Sequence, residues 1–136
     1  MRSKLYRYRW PLLCAAVLIG ASTSVALVTW KSQHQSRNVA ITMAGGDPDR
    51  APNIIRRYGC AGCHTIPGIP GGDGKVGGAV SDLRGRVYVG GVATNTSDNL
   101  IAWIVSPQTF SPRSAMPATG ISEAEARDVA TYLYSQ

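Results

Sequence analysis

Between Thr65 and Gly91, nine of 27 residues are glycine. Glycine brings no side chain to bury and loses the most backbone freedom on folding. Such a stretch cannot build a core of its own. Either it stays disordered or it wraps something that supplies the missing apolar surface. The chain is 136 residues long with 44% hydrophobic residues, room for one ordinary domain and too apolar for disorder throughout.

The formal net charge of +6 invites a nucleic-acid reading until its distribution is traced. Arg2, Lys4, Arg7 and Arg9 carry four of those charges, and Lys31 and Arg37 carry two more. From residue 47 onward eight basic residues meet eight acidic ones. That region is neutral, so it carries no footprint for nucleic acid.

Residues 11–30 contain no charge. As a helix they would span about 30 Å, one hydrocarbon core. Trp10 and Trp30 bracket the run, where interfacial aromatics sit. Residues 1–10 form a basic flank, which predicts a cytoplasmic N-terminus and an exported remainder. A signal peptide cut after Ser24-Val25-Ala26 also exports the remainder. The membrane length of the run favours the anchor. Cys14 reads as an apolar filler, because the apolar run ahead of it is too short for a lipoprotein signal. Residues 31–46 are polar without apolar periodicity and read as a flexible tether.

Residues 47–136 then form the folded domain, and an all-α class is expected. Three helices are predicted: Asp49–Tyr58, stopped by Gly59; Ser97–Val105, capped by Thr96; and Glu123–Tyr134, opened by the Ser122/Glu125 capping box. Val87–Val92 is too short and too glycine-flanked to be trusted as a strand.

The most informative run is Cys60-Ala61-Gly62-Cys63-His64. This spacing reads as covalent attachment of one haem c. Two thiols one short turn apart reach the two vinyl groups on one porphyrin edge, and the next imidazole supplies the proximal iron ligand. Three other readings stand beside it. Zinc needs four ligands, and His34 would have to join Cys60, Cys63 and His64 from the tether. A thioredoxin-like pair needs a βαβ setting, which the sequence lacks. A plain Cys60–Cys63 disulfide is the third.

A haem needs a group on its other face. Met116, in Ala115-Met116-Pro117, is the methionine of the folded domain, and Pro117 stiffens its loop. His/Met ligation is the common electron-transfer pairing. Met43 is the next methionine to test.

Arg57-Tyr58-Gly59-Cys60 through His64-Thr65-Ile66-Pro67-Gly68, then Val76-Gly77, Tyr88, Asn99-Leu100, Trp103 and Ala115-Met116-Pro117 carry a resemblance. The domain resembles a class I monohaem cytochrome c, of the membrane-anchored type and the type associated with terminal oxidases. The resemblance implies crossing first and last helices and one low-spin haem. It also implies that Arg86, Tyr88 and Trp103 lie near the haem propionates. One departure is that Gly78 follows Gly77 where the family often has proline. Gly78 can still offer a carbonyl to the proximal imidazole, but a looser loop is expected and the identity of the acceptor stays open.

The expected function is single-electron transfer in a membrane respiratory chain, with no catalytic residues. The expected partners are the membrane, a quinol-oxidising complex or dehydrogenase, and a terminal oxidase. The implied place is the bacterial inner membrane, with the haem domain periplasmic. The rivals are a haem sensor or enzyme with a displaceable Met116, and a thiol–disulfide oxidoreductase using Cys60 and Cys63.

Overall fold

The computed structural model describes the backbone of residues 2–136 and the side chains of residues 9–136. The basic side chains expected at 2, 4 and 7 lie outside the described set. The chain divides into two compact units, Met1–Gln35 and Ser36–Gln136.

Helix α1 runs Arg2–Ala44. Its Arg9–Ala44 portion is long and apolar enough to cross a membrane, and none of its most apolar window is buried. The hydroxyls within the apolar run do not need water. Ser22 and Thr23 donate to the Ile19 carbonyl, Ser24 to Gly20 and Thr29 to Val25, at 2.8–3.0 Å. Bonding back to the preceding turn is how such residues meet their needs in apolar surroundings. Trp30 and His34 meet edge to face, with centroids 4.5 Å apart. Cys14 is exposed on this helix.

The expected tether at 31–46 is helical up to Ala44 instead, and from Ser36 it belongs to the second unit. Ala40 and Ala44, one turn apart, are buried in the core. Gly45, at φ +73°, ends α1 and donates to the Ile41 carbonyl at 2.8 Å. Arg127 donates to the Ala44 carbonyl, and Gly46 N–H donates to Thr131 Oγ1 at 3.0 Å. Arg37 and Asp49 pair through both carboxylate oxygens. This helix face is built from small residues, which give little hydropathy signal. Its partners lie more than eighty residues away.

The remaining helices are α2 (Ala51–Arg57), α3 (Ser97–Val105), α4 (Pro107–Phe110) and α5 (Glu123–Ser135). Proline in the first turn of α2 costs no helix hydrogen bond. Gly59, at φ +70°, reverses the chain after α2. Thr96 Oγ1 accepts from Asn99 N–H, and the Ser122/Glu125 capping box closes in both directions. Each cap contributes about 0.5–2 kcal/mol. Helix α4, unforeseen, begins directly at Pro107 after α3 ends. Two-residue strands β1 (Tyr88–Val89) and β2 (Ala93–Thr94) pair antiparallel. Gly90 and Gly91 both take positive φ, as a tight hairpin turn requires.

Helix α5 is the centre of the second unit and packs against both α2 and α3. Ile55, Leu100, Ile104, Val129 and Leu133 meet in one core with Ile66, Leu83 and Val89 from the loops. The glycine-rich stretch therefore contributes apolar anchors to this core while its backbone stays free to wrap.

Candidate functional site

A short 3-10 turn, Cys60–Gly62, follows Gly59. Cys63 and His64 N–H both donate to the Cys60 carbonyl, at 3.2 and 3.0 Å. That turn keeps the two thiols on one side of the chain. Cys60 is half-buried and Cys63 exposed, and both are free thiols. Burial pushes the Cys60 thiol up from its ordinary range.

The chain then folds back over this turn. Gly77 N–H donates to the Cys63 carbonyl at 2.7 Å, and Thr65 Oγ1 donates to Gly74 at 3.0 Å. The return is tight enough to demand glycine. A Cβ on Gly74 would sit 2.6–2.7 Å from the backbone of Ala61 and Cys63, and one on Gly77 would enter the His64 ring. The glycine density thus has a local cause: the loop runs against the imidazole with no side chain between.

His64 Nδ1 lies 2.8 Å from the Gly78 carbonyl oxygen. A carbonyl only accepts, so Nδ1 carries a proton, and in the neutral ring that leaves the lone pair on Nε2. The acceptor that the sequence left open is thus the Gly78 carbonyl, and no proline is needed to offer it.

His64 lines a cavity of about 350 Å³. Cys60, Met116, Arg86 and Trp103 also line it, with Ile55, Leu100 and Leu133 among the apolar walls. A neighbouring cleft of about 120 Å³ shares Cys60, His64 and Met116 and adds Cys63 and Pro117. The sites expected at Cys60, Cys63, His64 and Met116 therefore come together. Arg86 and Trp103 join them. Tyr88 is exposed on β1 and is not among the lining residues of either space. Met43 is partly exposed on α1 and lines neither. Among the described residues, no three His, Cys, Asp or Glu side chains converge to hold a metal ion between them.

Arg86 reaches back to the chain. Its Nη2 donates to the Ala79 and Ser81 carbonyls at 2.6 and 2.9 Å, closing the loop that leaves Gly78. Trp103 packs so closely on Gly90 that a Cβ there would enter the indole ring. Three polar residues hold this region without any motif announcing them. Asn95 donates to the Leu83 and Arg86 carbonyls and accepts from the fully buried Tyr134 hydroxyl at 2.7 Å. Gln108 donates to the Met116 carbonyl at 2.7 Å, and Tyr132 donates to the Pro67 carbonyl at 2.7 Å. The sequence signal was weak in each case, since an isolated amide or phenol is an ordinary surface residue.

The residues present fit a flat, largely apolar group with a metal at its centre. Thiols stand on one edge, an imidazole with a free Nε2 lines the space, and a soft thioether lines it too.

Comparison with known proteins gives a family whose profile, described as Cytochrome c, matches residues 48–136. A protein named cytochrome c oxidase subunit 2, from Alkalihalophilus pseudofirmus, is 32% identical over 84 residues. That match covers 60% of this chain and 23% of the relative, so the chain spans about a quarter of its length. No solved structure matches.

Proposed function

The chain belongs to the cytochrome c family, and from that premise we propose that it is a membrane-anchored carrier of single electrons with one covalently held haem c. The observation that carries this reading is the shared cavity: Cys60, His64 and Met116 line one space, and Gly78 fixes the His64 tautomer. When bound, the haem supplies an iron that changes oxidation state by one electron.

Each residue then has a defined task. Cys60 and Cys63 would hold the porphyrin edge through thioethers. His64 offers Nε2 to the iron, and the Gly78 carbonyl keeps its ring from turning. Met116, which lines the same space, would offer its sulfur as a second ligand and so leave no position for substrate. The apolar walls exclude water, which with the thioether ligand favours the ferrous state. Arg86 and Trp103 serve the propionate side.

Helix α1 supports an anchor in the bacterial inner membrane, with the basic N-terminus cytoplasmic and the haem domain periplasmic. Anchoring keeps the domain at high effective concentration near membrane partners. A quinol-oxidising complex or dehydrogenase would donate electrons, and a terminal oxidase would accept them. The named oxidase subunit supports the second partner.

The test is an optical spectrum of the purified protein, oxidised and reduced, with and without carbon monoxide. Sharp reduced bands unmoved by carbon monoxide are expected. A ready shift would refute Met116 ligation and favour a sensor or enzyme. Absence of haem bands, in cells able to mature such proteins, would refute the reading altogether.

A further inference from the structure

Met116 lies in the loop between α4 and α5, a stretch without regular secondary structure and interrupted by Pro112 and Pro117. A loop of that kind does not fix a side chain by its own hydrogen-bond ladder. Both backbone polar groups of Met116 are nonetheless taken, and both by side chains. Its carbonyl accepts from Gln108 Nε2 at 2.7 Å, and its N–H donates to Ser114 Oγ at 3.2 Å. Gln108 Nε2 also lies 3.5 Å from the Ser114 carbonyl, so one amide spans the residues leading to the methionine.

Gln108 is itself well placed to act as a fixed post. It sits on the four-residue helix α4, which starts at the fully buried Pro107. Two residues on, Phe110 packs against Trp103 with ring centroids 6.1 Å apart. Trp103 and Met116 both line the cavity. Helix α4 therefore touches the cavity lining on two sides: through Phe110 to Trp103, and through Gln108 to the Met116 backbone.

We infer that Gln108, with Ser114, is the positioning residue for the Met116 ligand, and that this clamp sets how readily the sulfur leaves the iron. The inference rests on the proposed His64/Met116 ligation. A glutamine suits the task because its amide donates to the Met116 carbonyl without bringing a charge beside the residues that line the cavity. Outer partners of a metal ligand commonly change metal affinity about 10- to 100-fold when removed. Here the free energy of the clamp is spent on the closed position of the loop. Its loss raises the fraction of molecules in which the sulfur is away, and an external ligand gains apparent affinity by the same factor.

The experiment compares the full-length holoprotein with Gln108→Leu, Ser114→Ala and Met116→Ala. Carbon monoxide affinity of the reduced protein, thermal midpoint, and amide hydrogen exchange at residues 114–116 are measured for each. Gln108→Leu keeps the volume and removes the donor. It is expected to raise apparent carbon monoxide affinity about 10- to 100-fold, to speed exchange at 114–116, and to leave the far helices α2 and α5 protected. A role in packing alone would lower the midpoint and leave carbon monoxide affinity unchanged, and that result overturns the inference. Should Gln108→Leu fail to fold, Ser114→Ala carries the same expectation and the same refutation. Met116→Ala separates the two readings. If it opens the iron while the other two variants behave as wild type, the clamp is refuted and the ligation stands. If it leaves the spectrum unchanged, the ligation itself is refuted, and the clamp with it.

Discussion

Gly77 lies against the His64 imidazole so closely that a Cβ on it would stand 2.6 Å from Nδ1 and 2.9 Å from Nε2. The following residue, Gly78, accepts the Nδ1 proton at 2.8 Å. Two consecutive glycines thus divide the work: one leaves room for the ring and the other orients it.

Gly77→Ala is expected to force either the imidazole or the loop aside. Overpacking of this kind costs about 1–3 kcal/mol. The visible consequence is a lower yield of haem-loaded protein and a perturbed reduced spectrum. Gly85→Ala, where nothing lies within 4 Å of the added Cβ and which lines neither space, is the control and should load normally. Equal loading of both variants would show that the close approach is not needed.

Acid sensitivity should centre on Glu125. Its carboxylate is held below the usual range, first by the Ser122 hydroxyl, then by the Tyr58 hydroxyl and the Ser122 N–H, with Arg57 assisting. A lowered folded value means stability that is present above the unfolded value and lost as pH falls through the folded one. Glu125→Gln should therefore flatten the acid limb of a plot of unfolding midpoint against pH and leave its neutral-to-basic course similar in shape. An unchanged acid limb would move the sensitivity to another carboxylate.

Asn95 should be costlier to lose than a surface amide. In Asn95→Ala the hydroxyl of Tyr134, a residue with no exposed surface, loses its acceptor. An orphaned buried polar group costs about 1–3 kcal/mol. Adding Tyr134→Phe removes the orphan, so the double variant should recover part of the loss. Chemical unfolding of the two single variants and the double variant checks this, and strict additivity would show that the two groups are not coupled.

The docking of Ser36–Ala44 can be tested at Gly46. A Cβ there would lie 2.5 Å from the Arg127 carbonyl oxygen and 2.7 Å from Thr131 Oγ1. Gly46→Ala in the full chain should loosen the Gly46–Thr131 bond and speed amide exchange across residues 37–44, with α3 unaffected. A segment that behaved as a free tether would already exchange fast and would not respond.

The grouping of Cys60, Cys63 and His64 was legible because it is local: two thiols and an imidazole fall within five residues, and one short turn carries them. Helix α3 and the start of α5 were legible for a similar reason, since Thr96 and the Ser122/Glu125 box are local signals. The hairpin carried a signal that its shortness hid, the Gly90-Gly91 pair at its turn. Gln108 and Asn95 were not legible, because what they hold lies on other elements and neither is part of a pattern. The docked end of α1 was missed for the same reason, sharpened by the use of alanine on its contact face.

That docked end also has a consequence in time. The groups that receive it, Thr131, Arg127 and Asp128, come from α5, and Asp128 accepts from Asp47 N–H across 81 positions. A ribosome delivers residues 36–64 well before α5. During that interval the segment that later seals the unit has nothing to seal against, and the Cys60–Cys63 turn stands in an unfinished chain. The docked end of α1 therefore reaches its final setting only once α5 has been made.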